Sequence, residues 1–218
     1  MANLQKHTGK AVIAILRHNN RDTLKPSNRD IDPTRSHLNY RLSPKRLIRD
    51  GQRLCSQSDY ECYKKRLSEV YAFNRKNLVK IASWVISAPR NLEVEKHEVF
   101  FRECYNFLEN RYGKQNTVQA IVHNDESQPH LHYIFMPVVK DKKHKKPSGE
   151  KLCANDVLTR QELREFHPAL QEHLNRAGIN TRILNGATAD GNRTVAEIKK
   201  EREHAQNQEK TRGVFLER

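Results

Sequence analysis

The stretch TVQAIVHNDESQPHLHYIFMPVV, residues 117–139, decides the fold because it predicts two strands joined by a short turn. The segments 117–123 and 130–139 have the β-branched and aromatic composition of strands. Between them, NDESQP at 124–129 is rich in turn-forming residues. We therefore expect an antiparallel hairpin in this part of the chain.

The histidines of this hairpin form a candidate metal site. His130 and His132 are two residues apart, so their side chains share one face of a strand, and the returning hairpin places His123 opposite them. Three neutral imidazoles can bind a divalent cation and leave coordination positions open for substrate. Any one of these histidines alone would be interpreted as a surface polar residue. In the turn, Asp125 and Glu126 either hold the imidazole tautomers or serve ordinary turn chemistry.

Outward from the hairpin, strand and helix patterns alternate. IASWVISA at 81–88 predicts a strand that stops at Pro89. Two sets of apolar residues at helical spacing predict helices that end at Gly113 and Gly178, namely Phe101, Tyr105, Leu108 and Tyr112, and Leu163, Phe166, Leu170 and Leu174. The fold class predicted from these patterns is α+β, with one sheet and helices packed on a face.

The N-terminal third is less regular. AVIAILR at 11–17 predicts a buried strand that ends at His18, and residues 24–42 predict a long loop. Ser43 and Pro44 predict a helix start, with helical patterning continuing to about residue 78. At the other end of the chain, residues 194–210 predict a highly charged helix.

The charge balance points to a phosphate-rich partner. Lys and Arg number 40 against 26 Asp and Glu, which gives a net charge of +14 and a pI near 9.8. This excess favours nucleic acid over an anionic membrane surface. The basic segment KDKKHKKPSGEK at 140–151 serves either solubility or phosphate contact.

Composition also predicts the compartment. The four cysteines form no C-x-x-C pair, which favours reduced thiols. No run is long enough to span a membrane, and the N-terminal apolar stretch is interrupted by Arg17 and His18, unlike a signal peptide. We therefore expect a cytoplasmic protein without membrane contact from this segment.

A metal that faces a phosphodiester requires a nucleophile, for which the candidates are His18, Tyr40, Tyr133 and water. His18 is the best placed, because Arg21 follows it and a planar guanidinium can bind a phosphate through two hydrogen bonds.

Three ordered motifs now give a specific resemblance. HNNR at 18–21, SNRDIDPTRSHLNY at 27–40 and HNDESQPHLH at 123–132 resemble the motifs of MobV-type (Pre/Mob) plasmid mobilisation relaxases. TVAEIKKE at 194–201 is similar to a segment that follows the catalytic core in that family. HLH is also the histidine, hydrophobic, histidine signature of the wider HUH endonuclease class.

The resemblance implies an HUH-type relaxase fold, with a central five-stranded antiparallel sheet flanked by helices. It implies site- and strand-specific nicking and rejoining of origin-of-transfer DNA, with the 5′ phosphate held covalently in between. His18 would be the nucleophile, Arg21 would position the phosphate, and Glu126 would orient or activate His18. The metal ligands would be His123, His130 and His132. The second motif contributes DNA contact or loop stabilisation through Asn28, Asp30, Asp32, Arg35, Ser36, Asn39 and Tyr40.

We expect one divalent ion, with manganese favoured and magnesium or another transition metal as alternatives. The partner would be single-stranded and hairpin DNA at the nick site. Residues 1–192 would form the relaxase domain and residues 193–218 a charged helix. That helix would lead to a longer region, absent here, through which the family dimerises.

Three other functions stay open. One is a tyrosine-dependent HUH replication initiator or transposase, and another is a non-catalytic DNA-binding module with a structural metal. The third is a hydrolytic metallonuclease, which would release its product without a covalent adduct.

Overall fold

The structure, a computed structural model, describes residues 2–22, 28, 30–45, 47–50 and 53–183. The predicted charged helix at 194–210, the segment TVAEIKKE and the predicted domain boundary at residue 192 lie outside the described residues. The division into two domains stays a prediction.

A five-stranded antiparallel sheet forms the centre of the fold, with strand order β1-β5-β7-β6-β2. This confirms the predicted α+β class and the strand count. The five strands are β1 (Ala2–Thr8), β2 (Tyr40–Arg41), β5 (Val79–Ser87), β6 (Thr117–His123) and β7 (His130–Phe135). Two separate hairpins complete the strands: β3 (Leu47–Asp50) with β4 (Arg53–Ser56), and β8 (Val138–Lys140) with β9 (Glu150–Leu152).

Five α-helices accompany the strands in the described part of the chain. They are α1 (Val12–Asn20), α2 (Asp59–Glu69), α3 (His97–Tyr112), α4 (Ala154–Val157) and α5 (Arg160–Arg176). The predicted helices ending near Gly113 and Gly178 are confirmed as α3 and α5, and the predicted strand at 81–88 is confirmed as β5. The predicted strand at 130–139 divides into β7 and β8.

The sheet separates two apolar clusters. On one face, side chains of α3 and α5 pack against the sheet, and the Trp84 indole stacks on the Phe166 ring with centroids 3.6 Å apart. On the other face, Val12 and Leu16 of α1 and Tyr63 of α2 pack against Ile81 and Ile134. We call these the α3/α5 face and the α1/α2 face.

The strand predicted at 11–17 is wrong, because this segment lies in α1. Its buried side chains, Val12, Leu16 and Asn19, follow helical spacing, whereas Ile13 is 42% exposed. The β-branched composition favoured a strand, but packing against α2 and the sheet decides the conformation. Strand β1, a largely polar strand at the edge of the sheet, was not predicted from the sequence.

The helix start predicted at Ser43 is also wrong. The Ser43 hydroxyl accepts a hydrogen bond from the Ala120 backbone N–H at 2.9 Å, and β3 and β4 follow. Helix α2 begins after Ser58, whose side chain forms a reciprocal capping box with Glu61, and it ends at Glu69 instead of residue 78. Residues 24–27 and 29 of the loop predicted at 24–42 lie outside the described residues, and its described part contains a 3-10 helix, Pro33–Leu38, and β2.

Among the described residues, no helix is both long enough and apolar enough to cross a membrane. In the part of the chain that the structure describes, Cys104 is a buried free thiol and Cys153 a half-buried one.

Candidate functional site

The structure brings the three predicted histidines together on the α1/α2 face. His123 ends β6 and lies directly opposite His130, the first residue of β7, while His132 follows on the same side of β7. One ring nitrogen from each lies within 4.8 Å of the others. His123 and His130 are buried and His132 is half-buried. The predicted hairpin and its face assignment are confirmed.

Backbone carbonyls fix the orientation of two of these rings. His123 Nε2 lies 2.8 Å from the Asn19 carbonyl oxygen, and His130 Nδ1 lies 2.8 Å from the Gln128 carbonyl oxygen. In a neutral imidazole the nitrogen that donates to the carbonyl carries the hydrogen, so His123 Nδ1 and His130 Nε2 keep lone pairs. His130 Nε2 is also 2.9 Å from His132 Nε2. Ring nitrogens held this way by a carbonyl are typical of metal ligands.

Burial favours the neutral form of two of these imidazoles. Burial lowers the pKa of His123 to about 4, and burial together with the neighbouring imidazoles lowers the pKa of His132 well below its usual value. Both rings are therefore neutral at pH 7, as a metal ligand must be. Three nitrogen donors of this kind suit a transition metal ion.

Arg21 links the end of α1 to the turn between β6 and β7. Its backbone is left-handed, with φ of 59°, and it ends α1 one turn after His18. The guanidinium binds Asp125 through two hydrogen bonds, Nε to Oδ2 at 2.8 Å and Nη2 to Oδ1 at 2.6 Å. Nη2 also lies 2.7 Å from Glu126 Oε1 and 3.1 Å from His123 Nδ1. Arg21, Asp125, Glu126 and His123 thus form one connected group.

The Asp125 carboxylate accepts hydrogen bonds from several side chains around the turn. Burial favours its neutral form, but hydrogen bonds from Arg21, Asn39 and Ser36 outweigh burial and hold the pKa of this carboxyl well below its usual range. Ser36 Oγ and Asn39 Nδ2 each donate to Asp125 Oδ2 at 2.8 Å. An ionised carboxylate already occupied by these donors is a poor metal ligand, which leaves the three histidines as the better donor set.

The second motif surrounds this turn. Asn28 Nδ2 donates to Glu126 Oε2 at 3.0 Å, and the Asp32 backbone N–H donates to the Asp125 carbonyl oxygen at 2.8 Å. The Asp32 side chain caps the following 3-10 helix by accepting from the Thr34 backbone N–H. Arg35 and Asp30 are exposed. Of the two roles predicted for this motif, loop stabilisation is therefore the one its described contacts display.

His18 lies on α1 at the rim of the histidine cluster. Its ring centroid is 6.5 Å from that of His132, and the ring is half-buried. Burial and the positive charge of Arg21 lower the pKa of His18, so the imidazole is mostly neutral at pH 7. Glu126 acts in the opposite direction on the same pKa.

Both candidate tyrosines lie on the α3/α5 face. Tyr40 pairs with Val122 and Tyr133 pairs with Ala120, and both partners belong to the α3/α5 cluster. Tyr133 is fully buried. Burial and the charge of Glu98 on α3 raise the pKa of Tyr40 to about 12. Neither phenol shares a face with the histidines.

A buried polar network, not predicted from the sequence, connects α1 to β6 and α2. Asn19 Nδ2 donates to Gln119 Oε1 at 2.9 Å, and Gln119 Nε2 donates to Asp59 Oδ2 at 2.7 Å. Arg41 forms an ion pair with Asp59 at 2.7 Å. Gln119 is fully buried and the carbonyl of Asn19 orients His123. The available signal was a glutamine inside the apolar strand TVQAIVH, where a buried amide requires partners.

Comparisons with known proteins point to one family. The family model described as plasmid recombination enzyme matches residues 1–182. A plasmid recombination enzyme of Bacillus thuringiensis is 35% identical over 166 residues, which cover 73% of this chain and 33% of that protein. A plasmid recombination enzyme of Lactiplantibacillus plantarum is 28% identical over 207 residues, which cover 93% of this chain and 54% of that protein. The chain thus spans between a third and about half of the length of these two relatives.

Among solved structures, the chain is similar to the MobM relaxase domain (MOBV; Mob_Pre), a Mn-bound crystal structure in complex with oriT DNA of plasmid pMV158. The TM-score is 0.67 and the identity is 27%, and the match covers 92% of this chain and 97% of that one.

Proposed function

This chain belongs to the plasmid recombination enzyme family, and on that premise we propose that it is a plasmid mobilisation relaxase. It would cut one DNA strand at an origin of transfer and rejoin it later, with His18 as the nucleophile. The observation that carries the proposal is the position of a mostly neutral His18 imidazole beside three converging histidines, on the face of the sheet that both tyrosines avoid.

The proposed cofactor is one divalent ion held by His123, His130 and His132. When bound, such an ion neutralises negative charge on the scissile phosphate and polarises its phosphorus. Manganese is our first expectation because the similar relaxase domain is Mn-bound, with magnesium or another transition metal as alternatives.

In the proposed cleavage step, a nitrogen of the His18 imidazole attacks the phosphorus. The bond from phosphorus to the 3′ oxygen breaks, and the 5′ phosphate stays on His18 as a phosphoramidate. We assign the proton lost from the imidazole to Glu126, whose carboxylate acts electrostatically on His18. The leaving oxygen takes a proton from water and becomes a 3′ hydroxyl, which attacks in the reverse step when the strand is rejoined.

Arg21 would position both the turn and the phosphate. Its Nε and Nη2 are engaged by Asp125 and Glu126, whereas among the described residues Nη1 donates only a long bond, 3.4 Å, to the His18 carbonyl oxygen. We assign Nη1 to the phosphate, because a guanidinium N–H suits a phosphate oxygen.

The proposed partner is origin DNA, single-stranded at the nick and paired in an adjoining hairpin. In the second motif, Asn28, Ser36 and Asn39 hold the turn, while exposed Arg35 is available for DNA contact. A dimer through a longer C-terminal region stays a prediction.

A nicking assay tests the proposal. The protein should convert a supercoiled plasmid that carries its cognate origin to the open circle when Mn²⁺ is present, and EDTA should prevent this. The His18→Ala variant should bind origin DNA without nicking it, whereas His37→Ala, an exposed histidine, should nick normally. If the protein binds origin DNA but does not nick it with any divalent ion, it is a non-catalytic binding module. If it cuts the DNA without forming a covalent adduct, it is a hydrolytic nuclease.

A further inference from the structure

A cavity of about 460 Å³ lies beside the histidine cluster on the α1/α2 face. Its walls are the end of α1, the segment 36–45 and the start of α2. The volume is in the range of small-molecule sites, which hold a ligand of one or two rings.

The cavity is close to the proposed point of cleavage. Arg21 lines the cavity and also contacts His123. Ile121, which also lines the cavity, precedes His123 by two residues on the same face of β6, which is roughly 7 Å along a strand. A group in the cavity can therefore belong to the nucleotide at the scissile phosphate or to its neighbour.

The charges of the lining favour a neutral ligand over a second phosphate. Arg41 is paired with Asp59 and Arg21 is paired with Asp125, so neither guanidinium is unopposed. The other charged side chains of the lining are Lys45 and Asp22, both exposed, and the carboxylate of Asp22 offsets the positive charge of Lys45. Much of the remaining lining offers amides and hydroxyls, from Asn20, Gln57, Ser56 and Ser58.

Such a lining matches the edge of a nucleobase. Base edges present hydrogen-bond donors and acceptors without net charge, and amide, lysine and carboxylate side chains are their usual readers. On these grounds we propose that the cavity binds one unpaired base of the DNA, next to the scissile phosphate, and thereby sets the sequence preference there. This inference rests on the proposed function because it takes the ligand to be the DNA that is cut.

Lys45, Gln57 and Asp22 are the side chains that would read the base. Among the described residues, the Lys45 ammonium and the Asp22 carboxylate have no hydrogen-bond partner. Gln57 uses only its oxygen, as an acceptor for Cys62 Sγ at 3.4 Å, so its amide N–H groups face no described acceptor.

The cavity wall next to Lys45, Gln57 and Asp22 is held in place by hydrogen bonds. The bonds of Asp59 to Arg41, Gln119 and Asn20 fix the wall between α1 and α2. Because this wall is already ordered, few side chains lose conformational freedom when a ligand binds. The contacts with the base can therefore contribute to affinity and discrimination.

The test is a binding selection, which does not require cleavage. A pool of single-stranded DNA with randomised positions is bound to the full chain in EDTA, and the base frequencies of the bound fraction are compared with those of the pool. The wild type should select a base at one position or more. Lys45→Ala combined with Gln57→Ala should reduce discrimination at one position by about fivefold or more and preserve it at the others. Abasic DNA at that position should bind wild type and variant equally.

The matched control combines Lys96→Ala with Gln161→Ala, two exposed positions away from the cavity, one directly before α3 and one on α5. This control should keep the wild-type preference. The inference is overturned if the cavity variant keeps the preference, if it loses affinity equally for all sequences, or if the wild type selects no base. The nicking assay is independent of this selection, so a failure of either is recognised separately.

Discussion

The two faces of the central sheet differ in what they bury. The α3/α5 face buries aromatic and aliphatic side chains, with Trp84 on Phe166 and Tyr112 on Phe135 in stacked pairs. The α1/α2 face buries Gln119 and His123 among its apolar side chains and carries His130 and His132 at one end. Both faces use the same strands, because successive residues of a strand point to opposite sides.

This difference indicates that the α3/α5 face mainly stabilises the fold, whereas the α1/α2 face carries the candidate site. On β7, Leu131 and Tyr133 face the larger apolar cluster, while the histidines on either side of Leu131 face the site. A rigid sheet holds the histidines from behind, which is the support that a metal site requires. Substitutions on opposite faces should therefore have different consequences even at adjacent positions.

The largest contrast should appear between His132→Ala and Leu131→Ala. His132 is a proposed metal ligand, and its loss should lower the cleavage rate about a thousandfold, because a bound ion would contribute several kcal/mol to the transition state. Leu131→Ala should lower the free energy of unfolding by about 2–5 kcal/mol, since Leu131 is fully buried. Single-turnover cleavage of an origin oligonucleotide and urea unfolding measure the two effects.

His132→Ala should change the free energy of unfolding less than Leu131→Ala does. Folded Leu131→Ala protein, at low urea and low temperature, should keep most of the cleavage rate. A folded Leu131→Ala protein as inactive as His132→Ala would contradict the separation of the two faces.

The pH dependence of stability should reveal the buried His123. Its pKa is about 4 in the folded protein and near 6.5 in an unfolded chain, so between these values the unfolded chain binds the proton and the folded protein does not. The free energy of unfolding should therefore fall as pH falls from about 6.5 to 4, by about 3 kcal/mol from this group. Urea unfolding in EDTA measures it, and His123→Gln should have a shallower slope; equal slopes would refute the assignment.

Arg21→Lys should lower cleavage about 10- to 100-fold. A lysine keeps the charge but cannot form the two parallel bonds to Asp125, so the turn that carries Glu126 loses its fixed position. Single-turnover rates with saturating Mn²⁺ measure the loss, and Arg164→Lys on α5 is the control for an exposed arginine away from the site. A lysine variant with the wild-type rate would remove Arg21 from the proposed site.

The smallest effect concerns the turn between β8 and β9. Lys142→Ala with Lys143→Ala should weaken DNA binding a few-fold and lower the slope of log affinity against log salt by about 0.7 for each phosphate that the variant no longer neutralises. Both lysines are exposed, and Asp141 orders their turn by accepting from the backbone N–H groups of Lys143 and Lys145. An unchanged slope would mean that this segment serves solubility alone.

The hairpin and its histidines were predictable because strand alternation alone places His130 and His132 on one side and His123 opposite them. Helix α1 was not, because AVIAILR has the composition of a strand and only packing against α2 and the sheet selects the helix. The contacts of Arg21 with Asp125 join residues 104 positions apart, and nothing local to either residue predicts them. The resemblance placed Arg21 at the site and the turn pattern placed Asp125 beside the histidines, but neither gave their pairing.

The residue that carries the DNA after cleavage can be identified directly, and its identity decides whether His18 is the nucleophile. An origin oligonucleotide is incubated with the protein and Mn²⁺, the covalent product is digested with protease, and the modified peptide is sequenced by mass spectrometry. We expect a phosphoramidate on His18 that is lost in acid and survives in base, and no adduct from His18→Ala. An adduct on Tyr40 or Tyr133, or one that His18→Ala still forms, would contradict it.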